Sequence, residues 1–363
     1  MLLPFALGCG AGAQRPDSSS AAAPASQAAA PVGPAQARTR VFHGMCDASG
    51  AVVLGAPLFA VADDEDNVLR VYDGDAGGGP LYSVDVSPAL DLPAKNKTPE
   101  ADIEAATRIG DRALWLTSHG RNSKGKLQPG RFRLFATTTP ASGVGLTPTG
   151  SAYEHLLDDM LASPQLAALG LRAAAELAPK DTGGLNIEGM TERPDGRSVV
   201  IGFRNPRPEG RAIVVPIENP LALVQGVGGA EGAQGVERVR AQLGAPWLLD
   251  LGGLGVRALS YWRGRYLIIG GPVDGESASA LFAWDGASEH PARIDVDLNG
   301  LNPEGFVSFD GRAEVMLLSD DGALEIDGEP CKKLPPERKR FRGMWIQLPD
   351  SASVEASDVS PPA

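Results

Sequence analysis

The stretch Gly184-Leu185-Asn186-Ile187-Glu188-Gly189-Met190 limits the fold more than any other, together with Pro194-Asp195-Gly196 and Ser198-Val199-Val200-Ile201-Gly202-Phe203-Arg204-Asn205-Pro206 behind it. It reads as an acidic entry, a short strand, an Asp-Gly turn, a second apolar strand and a polar exit. Variants of this unit recur. Asp102-Ile103-Glu104-Ala105 turns at Gly110-Asp111 and exits at Ser118-His119-Gly120-Arg121-Asn122. Asn302-Pro303-Glu304-Gly305 turns at Asp310-Gly311 and exits at Ser319-Asp320-Asp321-Gly322. Units beginning near Ala51 and Val256 bring the set to five. Strand meanders repeated in this way predict an all-β fold, a β-propeller. Five blades fit the units, and six or seven stay open if residues 218–245 contain further strands.

The fifth unit lacks an outer strand of its own, and a surplus strand at residues 41–45 fills the gap and closes the ring. Cys46 then ends the outer strand of the blade that also carries Cys331. The two are placed for a disulfide, against the alternative of two free thiols. A bond closing so long a loop would stabilise the ring in an oxidising compartment. One segment breaks the strand pattern. Tyr153, Leu156, Leu157, Met160 and Leu161 form a helical stripe, and Ser163-Pro164 opens a second helix with Leu166, Leu169, Ala173 and Leu177 inward. The expectation is a two-helix insertion at 151–178 within a propeller domain at 40–349.

Residues 1–9 end in an apolar run closing on Cys9, which resembles the lipobox of bacterial lipoproteins, although Ala6 replaces the usual Leu and a basic leader is missing. The alternative is an apolar start to a soluble chain. Residues 10–39 are rich in Ala, Pro and Ser and read as a disordered tether, as does the tail at 350–363. No apolar run is long enough to span a bilayer. The expectation is an exported monomer, an outer-membrane or periplasmic lipoprotein held to the membrane only by an N-terminal lipid, or otherwise secreted. The net charge is −12, and residues 1–40 carry +2 of it from Arg15, Arg38 and Arg40 against Asp17, leaving −14 on the body. Such acidity argues against nucleic acid and favours cations.

In a propeller, inner-strand starts and second-to-third-strand loops meet at one face. The starts supply Glu104, Glu188 and Glu304, with Asp102, Asn186 and Asn302 two residues earlier, and Arg257 in the fourth unit. The loops supply Asp63, Asp64, Glu65 and Asp66, then His119, Arg121 and Asn122, then Arg204 and Asn205, then Asp274, then Asp320 and Asp321. Three readings follow. Each Glu locks the ring by pairing with a backbone amide or with Arg204, Arg257 or Arg121. Or Glu104, Glu188 and Glu304 hold Ca²⁺, a hard cation suited to carboxylate and amide oxygens. Or the face is catalytic, with Glu188, Glu304, Glu104 and His119 as acid–base candidates and arginines holding an anion. Ser118-His119 is poor geometry for a nucleophile and base, which must face one another. No Gly-x-Ser-x-Gly, Walker loop, His-Glu-x-x-His or Cys-x-x-Cys is present.

The strings Ala62-Asp63-Asp64-Glu65-Asp66-Asn67, Ser118-His119-Gly120-Arg121-Asn122, Asn186-Ile187-Glu188-Gly189, Ile201-Gly202-Phe203-Arg204-Asn205-Pro206 and Asn302-Pro303-Glu304-Gly305 occur in order. In them the chain resembles a bacterial family of unknown function, the one numbered 3616, over roughly residues 47–325. The resemblance implies a propeller-like fold and no established activity. A looser likeness, through the Glu-Gly starts, is to the family called esterase-like activity of phytase and to calcium-dependent lactonase-type propellers. It implies a Glu as metal ligand and matches fully only at Glu188 and Glu304.

Two functions stand at this stage. One is a module of undefined role that binds a small molecule or protein at the acidic face, with Ca²⁺ as the one candidate cofactor. The other is a Ca²⁺-dependent hydrolase of a phosphate ester or lactone at the same face.

Overall fold

The computed structural model describes residues 38–92, 99–140, 143–225, 238–273 and 278–348. The leader with Cys9, the tether up to residue 37, Asp274 and the tail lie outside these residues. The described chain forms five four-stranded antiparallel sheets, together with one two-stranded hairpin. Their inner strands are Ala48–Gly55, Ile103–Ile109, Asn186–Glu192, Gly255–Trp262 and Pro303–Val307. Each packs on the next, and the fifth packs on the first, so the ring closes as a five-bladed β-propeller.

Closure uses the N-terminal strand. Arg38–His43 pairs antiparallel with Arg340–Gln347 as the outer strand of blade five. It begins two residues inside the segment read as tether. Phe42 seats it, stacking on Phe341 at 4.9 Å and meeting Phe59 and Tyr72 of blade one edge-on at 5.4 Å each. Cys46, three residues beyond the strand, is bonded to Cys331 across a sequence separation of 285, with Cα atoms 6.0 Å apart.

The core explains why the strands read as near-continuous apolar runs. Successive strand residues point to opposite sheet faces, and in a propeller both faces of a blade are covered by its neighbours. Val199, Ile201 and Phe203 pack toward blade two, while Val200, Val214 and Leu249 pack toward blade four. The same alternation fills five wedges, one between each pair of neighbouring blades. Each fully buried Leu, Ile or Phe contributes roughly 1.5–3 kcal/mol of transfer free energy.

The insertion differs from its expected form. Tyr153 ends the outer strand of blade two, Thr147–Tyr153, and the helix starts only at Leu156–Ala162. Behind it come a 3₁₀ turn, Pro164–Leu169, and a single helical turn, Leu171–Ala174. Gly170 separates the two in the left-handed conformation at φ 69°. That break rotates the inward stripe, so Leu171 and Ala174 are buried while Ala173 and Leu177 are exposed. Leu156, Met160, Leu166 and Leu169 join the core between blades two and three. No helix among the described residues is long and apolar enough to cross a membrane.

Candidate functional site

Every inner strand begins with a register irregularity. Ile187 pairs with Phe203 and Gly189 with Gly202, which leaves Glu188 as the extra residue. The same skip falls on Glu104, Arg257 and Glu304, and in blade one on Ser49 and Gly50. A bulge takes one residue out of the alternation and re-aims its side chain. Four charged side chains from four blades are thereby brought together. Ligand oxygens of Glu104, Glu188 and Glu304 all lie within 4.8 Å of one another, and all three residues are buried.

Two of the three glutamates are locked by arginine. Arg257 Nη2 donates to Glu304 at 2.5 Å, and its Nε stands 3.5 Å from Glu188 Oε2. Arg204 Nη1 donates to Glu188 Oε1 at 2.8 Å, where Asn186 Nδ2 also donates at 2.5 Å. Glu104 has no such arginine partner and its Oε2 accepts no hydrogen bond. Its neighbours are Asp64 and Asp102, whose ligand oxygens form a second group with its own, again within 4.8 Å. Asp64 Oδ1, Glu188 Oε2 and Asn186 Oδ1 are likewise buried without a hydrogen-bond partner.

The electrostatics follow the pairing. Burial, then the charges of Asp102 and Glu188, push Glu104 well above the carboxylate range. Asp64 is raised well above it too, by burial and then by Glu104. Glu188 is raised because burial outweighs Arg204. For Glu304 the balance reverses: burial opposes ionisation, but Arg257 outweighs it and holds the carboxyl below its usual value. Asp102 is raised to about 6 by burial, moderated by Arg131 at 2.6 Å. Burial and Glu304 raise Asp320 to about 7, and burial and Asp320 raise Asp47 to about 8. Carboxyls crowded out of water behave in this way unless a cation joins them.

These groups line a cavity of about 910 Å³ at the propeller mouth, with ten carboxylates against five lysines and arginines and no aromatic side chain among the described residues. Of the residues expected there, Glu104, Glu188, Glu304, Asp64, Glu65, Asp102, Asn186, Arg204, Arg257, Asn302 and Asp320 line it. Six others do not. His119 is fully buried, its Nδ1 2.8 Å from Thr117 O and its ring edge-on to Phe132, and burial lowers it to about 4. Asp63 accepts from the Glu65 amide within its own turn. Arg121 donates to Ala175 O at 2.8 Å and pairs with Glu176, tying its loop to the insertion. Asn122 caps a turn by accepting from the amides of Lys124 and Lys126. Asn205 donates to Pro179 O and Asp181 O. Asp321 is bound by Arg342 at 2.6 Å.

Charged cavity residues that the sequence did not single out are Asp47, Glu100, Arg131, Lys180, Asp297 and Lys332. Asp47 had a signal. It stands in blade one where Asp102, Asn186 and Asn302 stand in theirs, one residue before the strand position that pairs across to the second strand. Arg131 pairs with both Glu100 and Asp102, and nothing in its sequence neighbourhood announces this.

Comparison with known proteins adds a match to a family model over part of the chain and no activity. The family described as "Protein of unknown function (DUF3616)" matches residues 148–317. No curated protein matches the sequence. Among solved structures, the chain is similar to Myxococcus xanthus glutaminyl cyclase at 11% identity and TM-score 0.42, covering 86% of this chain and 97% of that one. It is also similar to the PQQ-bound aldose sugar dehydrogenase of Streptomyces coelicolor at 12% identity and TM-score 0.39, covering 86% and 98%.

Proposed function

We propose that the chain is a cation-dependent binding propeller. Its mouth holds one divalent ion of the Ca²⁺ class between Asp64, Asp102 and Glu104. The ion and the rim cations take a small, polar, oxygen-rich anion. The observation that carries this reading is the convergence of ligand oxygens of Asp64, Asp102 and Glu104 within 4.8 Å of one another, with Asp64 Oδ1 and Glu104 Oε2 buried and without a hydrogen-bond partner. A buried carboxylate is costly unless it is paired or coordinates a metal, and hard oxygen donors suit Ca²⁺. Arg257 and Arg204 engage Glu304 and Glu188, so the glutamate left without an arginine partner is Glu104.

The cavity volume falls in the range of small-molecule sites, and its lack of aromatic lining favours a polar ligand over an apolar one. Lys180 stands at the cavity wall, where it can meet an anionic group beside the ion. An exported chain would fit the same reading: a bond such as Cys46–Cys331 persists in oxidising compartments, and extracellular calcium modules work at weak affinity, with Kd about 10⁻⁴–10⁻³ M. Hydrolysis finds less support, because His119, one of the four acid–base candidates, is buried away from the cavity, and Arg257 and Arg204 engage Glu304 and Glu188.

Calorimetric titration of chelator-treated protein with CaCl₂ tests the proposal. Uptake by wild type and its loss in Glu104→Gln are expected. No uptake of Ca²⁺, Mg²⁺ or Mn²⁺ by folded wild type would overturn it.

A further inference from the structure

We infer that the mouth carries a second cation site, built by Asp47, Asp64 and Glu65, with Asp64 shared between the two ions. The inference rests on the reading above for the ion that Asp64 shares. Ligand oxygens of these three residues lie within 4.8 Å of one another. Asp47 is 5% exposed, and its Oδ2 is buried with no hydrogen-bond partner. An acceptor in that position costs free energy until a donor or a cation meets it.

The surrounding chain is shaped to hold Asp47 in place. A Cβ at position 322 would stand 1.6 Å from Asp47 Oδ1, so only glycine admits the carboxylate there. Asp47 bridges Asp320 across the backbone, and the Asp321 amide donates to Cys46 O at 2.9 Å. The Cys46–Cys331 bond fixes the residue before it. A ligand held this firmly loses little freedom when it binds an ion.

The same bond places Lys332, which follows Cys331. Its amide donates to Gly322 O at 3.1 Å, and its Nζ stands 3.1 Å from Glu65 Oε1. The ammonium group is thus a built-in cation at the edge of the site, and an incoming ion competes with it for Glu65. Two ions sharing one carboxylate is a recurring arrangement for gripping an anionic oxygen from two sides. That makes phosphate or a carboxylate the chemical class expected to bridge them.

Calcium stoichiometry of the full chain, measured by calorimetry after chelation, decides the matter. Circular dichroism and thermal melting confirm that each variant is folded. Two equivalents are expected for wild type, one for Asp47→Asn, one for Glu104→Gln and none for Asp64→Asn. Lys332→Met is expected to tighten one of the two events several-fold. One equivalent in wild type, or an unchanged count in Asp47→Asn, overturns the second site and leaves the first standing. No uptake in wild type overturns both.

Discussion

Arg257 of blade four and Glu304 of blade five meet at 2.5 Å with their side chains 6% and 7% exposed. Arg257 is the one bulge residue of opposite sign, standing between Glu188 and Glu304 in ring order. Removing it leaves two carboxylates buried without that partner, a change that costs about 3–5 kcal/mol in comparable pairs. Arg257→Met is therefore expected to lower the urea midpoint sharply with little change in slope. Arg257→Met combined with Glu304→Leu should recover most of the loss, because an apolar pair of similar volume removes the stranded charge. A double variant as unstable as the single one would show that the pair does not hold the ring.

Glu104 predicts the opposite sign. With no arginine partner and Oε2 unpaired, its carboxyl strains the cation-free protein. Glu104→Gln is expected to raise the melting temperature in chelator, by an amount corresponding to about 1–3 kcal/mol. The same variant should lose the calcium response, which in wild type reaches about 2.7 kcal/mol at a hundredfold excess over Kd. Thermal melts with and without CaCl₂ read both effects. Destabilisation in chelator would mean that Glu104 is a structural acceptor after all.

Blade number, closure and the aligned strand starts could be read from the sequence because the bulge puts a charged residue at a fixed place in otherwise apolar repeats. Glu104, Glu188, Arg257 and Glu304 stand out for that reason. Asp47 did not, because its blade carries Ser49-Gly50 where the others carry Glu-Gly, Glu-Ala or Arg-Ala. The loop residues divided by a criterion that residue type does not reveal. Asn122, Asn205 and Asp321 sit in the expected loops, but neighbouring backbone or Arg342 consumes their hydrogen bonds. A polar side chain that caps a turn looks the same in sequence as one that faces a ligand. The helical stripe failed at Gly170 for a related reason: one left-handed residue shifts which positions face inward.

His119 gives a pH dependence that can be isolated. Its folded value is lowered to about 4 by burial, against an ordinary value of 6.5. The unfolded chain therefore binds more protons between those values, so stability from this residue is full above pH 6.5 and is lost as pH falls toward 4. The loss is on the order of 2–3 kcal/mol. The raised carboxyls of the mouth act with the opposite sign, so the measurement is the difference between wild type and His119→Phe. The variant is expected to lose less stability on acidification from pH 7 to 4.5. Parallel pH profiles would assign the acid sensitivity elsewhere.

The Cys46–Cys331 bond links closure to the mouth. It joins the segment after the closing strand to the loop of blade five, over a separation of 285 residues. Constraining so long a loop stabilises by about 2–5 kcal/mol, mainly through the unfolded chain. Cys46→Ser with Cys331→Ser is expected to lower the melting temperature accordingly and to leave the blade cores intact by near-ultraviolet circular dichroism. Its effect on calcium should be uneven, because Asp47 and Lys332 each follow one of the cysteines while Asp102, Glu104 and Glu188 do not touch the bond. The titration should lose or weaken the event that depends on Asp47 and keep the one that depends on Glu104. Equal weakening of both events would mean that the bond acts on the whole ring and has no particular hold on Asp47.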